Sequence, residues 1–310
     1  MAGMMQARQC SWRRFSFFCL ASLFLFLMLA AGNPLRARTV VDDLGRKMEV
    51  PERPQRIISL APSLTETLFQ LGLGPQVVGV TDYCEHPPEA RQKTRLGGII
   101  NPSLERIVAL KPDLAFATSE ANKFEILTQL EKFKIPVFST TPRNLEGAIE
   151  SIRRVGEAAG VPAEAAQLAA TLSARLAAVR ATVATLGKPR VLILYDLKPA
   201  ITGGRRTFPT DLITAAGGES IAAGLEQDWP RLNIEFIVAR NPEIIFLSSM
   251  PGTEEAKKEL PSLPGWKMTS AVRTGRIYTV DDRINQPGPS IIDALEWLAR
   301  QIHPEAFRTP

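Results

Sequence analysis

Residues 101–116 read NPSLERIVALKPDLAF, and residues 231–246 repeat the pattern as RLNIEFIVARNPEIIF. The two segments align without a gap as far as Ser119 and Ser249, and each joins a short helix pattern to a strand pattern that follows a proline. So ordered a repeat predicts two structural units of one type. The identical pairs also include Glu105 with Glu235, Ile107 with Ile237, Val108 with Val238, Ala109 with Ala239, Pro112 with Pro242 and Phe116 with Phe246.

The length and the charge of the chain fit two lobes without a basic surface. The 310 residues, 45% of them hydrophobic, can form two cores of ordinary size. The formal charge of +5 comes largely from residues 1–37, which hold four of the 37 basic residues and no acidic one, so 33 basic and 32 acidic residues remain. Nucleic-acid binding is therefore not predicted.

The first residues have the pattern of a secretory signal. The apolar run FSFFCLASLFLFLMLAA follows Arg13 and Arg14 and leads into small residues and a proline. We predict export, with residues 1–37 as the signal peptide and Ala31 or Ala37 as the cleavage position. An uncleaved membrane anchor is the alternative, because the run approaches the length of a membrane span.

Cysteine usage predicts a monomer without disulfides. Cys10 and Cys19 lie within the predicted signal, and neither follows the small-residue pattern expected before a lipidated cysteine. Cys84 is then the only thiol of the mature chain and has no cysteine partner within it.

Strand and helix patterns alternate along both halves of the chain, behind a short N-terminal hairpin pattern. This alternation predicts a parallel sheet covered by helices on both faces in each half. The predicted strands are RIISLA, QVVGVT, DLAFAT and VFST in the first half, and RVLILY, EIIFLSS and RIYTV in the second.

The segment between the halves predicts one long helix. Residues 162–187 are rich in Ala, Leu and Arg, begin with a proline, end with a glycine and contain neither residue in between. A continuous helix of about seven turns would hold two lobes at nearly fixed spacing. The predicted organisation is an N-terminal α/β lobe over 38–161, a connecting helix over 162–187 and a C-terminal α/β lobe over 188–310.

Groups for catalysis or metal binding are few. The only histidines are His86, in DYCEHPP, and His303, beside a proline near the C-terminus. A zinc site needs ligands from separated segments, which the cluster around His86 does not provide. We predict neither a metal site nor an enzyme. An exported thiol-dependent enzyme using Cys84 and His86 stays open as an alternative.

Two aromatic residues are candidates for ligand contact. Tyr83 follows the second strand pattern, and Trp229 precedes the repeated helix of the second half. Open parallel sheets bind ligands beyond the carboxyl ends of their strands, so both side chains can face a cleft between the lobes. Core packing is the alternative for each.

The segment RIISLAPSLTETLFQLGLGPQVVGVTDYCEHPPEA, the repeat and the long helix resemble the periplasmic substrate-binding proteins of ABC importers for cobalamin, ferric siderophores or haem. The resemblance runs from about Asp42 to His303 and is closest to the cobalamin-binding members. It implies two Rossmann-like lobes joined by one rigid helix, a periplasmic location, no catalysis and no resident cofactor. The implied partners are a small-molecule ligand and a permease dimer with its ATPase subunits.

The resemblance also implies ligand contacts. A tyrosine shortly before a Pro-Pro pair and a Trp-Pro pair recur in the cobalamin-binding members, and they correspond to Tyr83 and Trp229. An acidic contact late in the second lobe corresponds to Asp282, with Asp281 as the other possibility. The chain departs from those members at two positions near which they carry aromatics, Ile99 and Ile201.

A second implied site is a docking pair. Tyr83 stands 22 residues before Glu105, and Trp229 six residues before Glu235, which is the spacing of the resembling proteins. Their two glutamates, one in each lobe, dock onto arginines of the two permease subunits. Glu105 and Glu235 are therefore expected to contact the permease.

The predicted ligand is cobalamin or a related corrinoid, because a large planar ring can stack on Tyr83 and Trp229. Haem is an alternative, for which Tyr83 or His86 would serve as the axial ligand. A ferric siderophore is another, and the arginines that could hold it are Arg205, Arg206, Arg231 and Arg283.

Overall fold

The computed structural model describes residues 37–119, 121–249 and 252–308, so the predicted signal peptide up to residue 36 lies outside the described residues. The strands are β1 (Ala37–Val41), β2 (Lys47–Pro51), β3 (Ile57–Ser59), β4 (Val77–Val80), β5 (Thr94–Arg95), β6 (Leu114–Thr118), β7 (Val137–Thr140), β8 (Arg190–Leu194), β9 (Asp196–Leu197), β10 (Ala200–Ile201), β11 (Glu219–Ser220), β12 (Arg231–Leu232), β13 (Ile244–Ser248) and β14 (Ile277–Val280). The α-helices are α1 (Pro62–Gln70), α2 (Leu104–Ala109), α3 (Phe124–Lys132), α4 (Leu145–Ala159), α5 (Pro162–Val183), α6 (Phe208–Ala215), α7 (Ile234–Arg240), α8 (Thr253–Glu259), α9 (Ser270–Thr274) and α10 (Ile291–Ile302).

Each lobe contains one parallel sheet. In the first lobe the strand order is β5-β4-β3-β6-β7, and in the second it is β11-β8-β13-β14. Neighbouring residues of β3 enter different cores, Ile57 beside helix α1 and Ile58 beside helices α2 and α3. The second sheet likewise has two cores. Both faces of each sheet are thus covered, as the alternating pattern predicted.

The sequence repeat is a structural repeat. In both copies a polar residue caps the short helix: Ser103 accepts a hydrogen bond from a backbone N–H of α2, and Asn233 does the same in α7. After each helix one residue adopts the left-handed conformation, Lys111 with φ 45° and Asn241 with φ 44°. The chain then turns into β6 or β13, so the repeat sets the central helix-to-strand connection of each lobe.

The acidic residues that follow the repeated prolines, Asp113 and Glu243, make equivalent contacts in the two lobes. The Asp113 carboxylate accepts from the backbone N–H of Arg56 at 3.0 Å, and the Glu243 carboxylate accepts from that of Arg190 at 2.9 Å. Arg56 precedes β3 and Arg190 begins β8, the first strand along the chain in each parallel sheet, and each arginine donates through Nε to a carbonyl at the end of the repeated helix. The conserved charge type therefore ties the first strand of each sheet to the repeat.

Two helices, rather than one, bridge the lobes. Helix α5 ends at Val183 and not at Gly187, and α4, which the sequence analysis did not predict, packs along it. The first half of α4 contributes Leu145 and Ile149 to the second-lobe core, while its end contributes Val155 and neighbouring alanines to the first-lobe core. The paired helices make the connection stiffer than a single helix would be.

The two helices approach each other closely at Gly156 of α4. A Cβ atom built on Gly156 would lie 2.1 Å from the Cβ of Ala165 in α5 and 3.1 Å from the Val161 carbonyl oxygen. Only the absence of a side chain lets the two helices pack at this distance. None of the helices in the described ranges is long and apolar enough to cross a membrane.

Candidate ligand-binding cleft

A cavity of about 790 Å³ lies between the lobes, within the range of small-molecule sites. The first lobe supplies the start of helix α1 and the loops that follow β4 and β6, which lie at the carboxyl ends of the parallel strands. The second lobe supplies one continuous segment, 283–287, which follows β14. This is the edge at which open parallel sheets bind ligands. The lining includes Glu66, Tyr83, His86, Ile99, Arg283 and Asn285.

Tyr83 lies in the cavity wall and 64% of its surface is exposed. The neighbouring Cys84 holds the loop in place, because its sulfur is fully buried and lies 3.0 Å from the Thr65 hydroxyl and 3.1 Å from the Thr81 hydroxyl. Arg95 donates to the backbone carbonyls of Thr81 and Cys84. With both sides of Tyr83 anchored, the phenol ring projects into the cleft instead of packing in the core.

The same geometry argues against Cys84 as a nucleophile. Burial raises the pKa of the Cys84 thiol, and the hydrogen bonds from Thr65 and Thr81 offset this only in part. A thiol that stays protonated and has no access to solvent is inert. His86 lines the cavity, whereas the Cys84 side chain faces the first-lobe core. The structure thus gives no support to a Cys84–His86 pair.

Trp229 lies in the second lobe, outside the residues that line the cavity. Its ring is 52% exposed and stands edge-on to Tyr195, with ring centroids 5.1 Å apart and planes at 87°. The Tyr195 hydroxyl donates to Asn285 Oδ1 at 2.6 Å, and Asn285 lines the cavity. Burial raises the pKa of Tyr195, so its phenol stays protonated and keeps donating. Trp229 therefore reaches the cavity wall through Tyr195 and is not itself part of that wall.

Asn122 is a buried polar residue that sequence reasoning missed. Its side-chain Nδ2 donates to the carbonyl oxygens of Leu60 and Ile99, and its Oδ1 accepts from the backbone N–H of Thr118. These bonds join three loops at the carboxyl end of the first sheet, and two of the joined residues, Ile99 and Thr118, line the cavity. One amide thus fixes the first-lobe floor of the cleft.

The arginines considered for an anionic ligand are largely engaged elsewhere. Arg205 pairs with Glu226 at 2.7 Å, and Arg206 with Asp228 at 3.6 Å. Arg283 pairs with Asp281 at 3.0 Å. Arg231 is the fourth candidate, and of the four only Arg283 lines the cavity. Among the described residues that line the cleft, Arg283 is the only arginine.

Asp282 begins a short 3-10 turn that follows β14, but its side chain lies outside the described ones. Asp281, the other acidic candidate, pairs with Arg283, so its carboxylate is already engaged. Ile99 lines the cavity, and Ile201 lies in the small antiparallel sheet β12-β10-β9. Across the described ranges, no group of three or more His, Cys, Asp or Glu side chains is arranged for a metal ion.

Glu105 and Glu235 occupy matching places. Each lies in the first turn of its short helix, is exposed, and has no ion pair within the described part of the chain. The residues on the opposite helix faces, Ile107 and Ile237, are buried. Both carboxylates thus lie on a capped helix and are exposed to solvent.

Comparison with known proteins places this geometry in one family. The model of the periplasmic binding protein family matches residues 57–284. A vitamin B12-binding protein of Vibrio parahaemolyticus is 29% identical over 250 residues, 79% of this chain and 88% of that protein. An uncharacterized ABC transporter substrate-binding lipoprotein of Bacillus subtilis is 30% identical over 278 residues, 87% of each chain.

A solved structure shares the fold over nearly its whole length. The apo form of a periplasmic heme-binding protein from a Roseiflexus species superposes with a TM-score of 0.74 at 30% identity, covering 81% of this chain and 99% of that one. The two-lobed α/β fold and the substrate-binding role predicted from the sequence are confirmed. The chain belongs to the periplasmic binding protein family.

Proposed function

We propose that this chain is the exported binding component of an ABC importer, and that it captures cobalamin or a related corrinoid in the inter-lobe cleft. The observation that carries the ligand assignment is the pair of exposed aromatic rings, Tyr83 in the cavity wall and Trp229 braced by Tyr195 on the second lobe. Flat apolar faces suit a corrin ring, and the relative from Vibrio parahaemolyticus is named for vitamin B12.

The shortage of free arginines in the cleft favours this ligand over a ferric siderophore. A strongly anionic complex needs unpaired cations, and among the described arginines considered above, Arg205, Arg206 and Arg283 already bind carboxylates. A corrinoid carries neutral amides around its ring, for which the phenol of Tyr83 and the amide of Asn285 are suitable partners.

Haem is the second candidate, because one observation favours it. Tyr83 and His86 line the same cavity, and either side chain can ligate haem iron. The Roseiflexus relative is named for heme. A haem complex would need one of these two groups at the iron, whereas the corrinoid proposal needs only ring contact from Tyr83.

We also propose how the chain is exported and how it delivers its ligand. Residues 1–37 direct export, Glu105 and Glu235 dock the loaded protein onto the permease dimer, and Asp282 is an acidic contact to the ligand. The chain works as a monomer, without catalysis and without a resident cofactor.

Replacing either aromatic should weaken corrinoid binding. We expect Tyr83→Ala and Trp229→Ala each to raise the Kd for cyanocobalamin several-fold or more, since one aromatic contact contributes about 0.5–1.5 kcal/mol beyond its buried area. Isothermal calorimetry measures the change. Phe133→Ala is the matched control for Tyr83→Ala, because Phe133 is also an exposed ring but, unlike Tyr83, lines none of the described cavities. Unchanged affinity in both cleft variants would refute the stacking role.

A further inference from the structure

The floor of the cleft contains one hydrogen bond that crosses from lobe to lobe. Glu66 belongs to helix α1 of the first lobe, and its Oε2 accepts from the hydroxyl of Ser290, 224 positions later in the chain, at 2.8 Å. Ser290 is the N-cap residue of α10 in the second lobe, and its side chain makes no bond to its own helix. The first lobe therefore binds the start of the last helix of the second.

The backbones also approach closely at this point. A Cβ atom on Gly288 would lie 3.1 Å from the Cα atom and from the carbonyl oxygen of Ser63, and 2.9 Å from Glu66 Oε2. Gly288 and Ser290 directly follow the segment 283–287 that forms the second-lobe wall of the cleft. The position of that wall relative to the first lobe is thus set beside Glu66.

Glu66 lies between two cavities. It lines the 790 Å³ cleft and also a groove of about 870 Å³, which the first lobe lines with α1 and the segment 86–93 and the second lobe with Arg283, Ser290 and Asp293. His86 and Arg283 line both cavities as well. Glu66 is partly buried at this junction, so separating the lobes would expose its carboxyl further to solvent.

We propose that Glu66 is a positioning residue that sets how far the lobes close, and that protonation of its carboxyl draws them closer together. The hydrogen bond from Ser290 can be made to either form of the carboxyl, because both have an accepting oxygen. Ionisation, however, places a charge in a half-buried site near the carboxylate of Asp293, which costs free energy only while the lobes are closed.

The direction of the pH effect follows from the surroundings of Glu66. Burial raises its pKa above the ordinary value of 4.5, the bonds from Ser290 and the charge of Arg283 oppose this, and Asp293 adds to it. A carboxyl with a raised pKa in the closed form binds its proton more tightly there than in the open form. The added closure is therefore complete below about pH 4.5 and is lost as the pH rises through the raised value.

Other charged groups lie near Glu66, and their effect on lobe closure must be distinguished from that of Glu66. Asp293 is paired with Arg175 at 2.6 Å, and Arg283 with Asp281. Gln70, on the same helix, donates to Glu66 Oε1 at 3.2 Å and is neutral. His86 is the remaining titratable side chain at the junction of the two cavities.

The test measures the distance between the lobes in protein without ligand, so its outcome does not depend on which molecule the cleft binds. Spin labels are placed at exposed Lys132 and Lys258, one in each lobe, and distance distributions are recorded by pulsed electron resonance at pH 4 and pH 8. We expect a shorter and narrower distribution at pH 4. Glu66→Gln, a neutral isostere, should give the short distribution at both pH values.

Glu66→Ala and Ser290→Ala should give longer, broader distributions with little pH response, and melting curves show that they are folded. Gln70→Ala, which removes a bond to Glu66 within one helix, and His86→Gln should behave as the wild type does. Wild-type distances in Glu66→Ala would overturn the positioning role. A pH response that persists in Glu66→Gln and disappears in His86→Gln would overturn the assignment of the titrating group.

Discussion

The double variant Glu105→Ala/Glu235→Ala should bind ligand and melt as the wild type does, yet lose most of its uptake through the cognate importer. The two carboxylates are exposed, lie on matching capped helices and have no ion pair among the described residues, so removing them breaks no ion pair in that part of the chain. On a permease with two related subunits, each would meet one arginine, whose planar fork suits a carboxylate.

The expected loss is large because two charge pairs are removed at once. Truncating one member of a desolvated interfacial pair costs about 2 kcal/mol or more, which is about thirtyfold in docking affinity for each site. Uptake of labelled ligand by a reconstituted importer measures it. The favourable contact of an acid with the helix dipole is the competing explanation, and it accounts for at most about 1 kcal/mol of stability.

A matched control uses two other helix acids, one in each lobe. Glu125 and Glu255 lie in the first turns of α3 and α8 and are exposed, but they are outside the repeat. Glu125→Ala/Glu255→Ala should transport normally. Full transport by the Glu105 and Glu235 double variant would refute the docking role, and equal losses in both double variants would reduce it to a general effect of charge.

Gly156→Leu should destabilise the protein by at least about 3 kcal/mol, the upper end of the usual cost of overpacking a core. Even the first added carbon would lie 2.1 Å from the Cβ of Ala165, so helices α4 and α5 must move apart. Both helices enter the cores of both lobes, and the strain cannot be confined to one of them. A fall in Tm of roughly 10 °C is expected, at about 2–4 °C for each kcal/mol.

Two further variants isolate the steric cause. Glu157→Leu adds the same side chain at the next position, which is exposed, and should leave the Tm nearly unchanged. Gly156→Ala should be destabilising, and combining it with Ala165→Gly should restore much of the loss, because the second change removes the atom in contact. If Gly156→Leu and Glu157→Leu have the same Tm, the close packing of α4 on α5 is not what holds the lobes.

The repeat made the sheet architecture predictable because its signals are local. A capping residue, an apolar helix face and a proline before a strand occur together within 19 residues, and the structure has them in both lobes. Helix α4 was missed because Gly147 and Gly156 interrupt its helix pattern. In the structure, Gly156 lies where α5 packs against α4 too closely for a side chain. This contact involves another helix, so a local sequence pattern does not reveal it.

In the cleft, too, residues with a local signal could be predicted and residues that depend on distant contacts could not. Tyr83 could be placed from its position after a strand, a local feature. Glu66 could not, since its partner Ser290 is 224 positions away, and neither could Asn122, whose side chain bonds Leu60, 62 positions earlier. The sequence offered several arginines as candidates for an anionic ligand because it does not show which carboxylates they pair with. The pairing of Arg205 with Glu226, for example, depends on how the loops pack.

The identity of the ligand is tested most directly by titrating the purified mature protein with cyanocobalamin, haemin and a ferric siderophore, followed by calorimetry and absorption spectra. We expect cyanocobalamin to saturate the protein at one molecule per chain, with heat released and a shifted corrin spectrum, and the other two to bind much more weakly. No heat and no spectral change with cyanocobalamin, together with saturation by haemin or the ferric siderophore, would contradict the assignment of the cleft to a corrinoid.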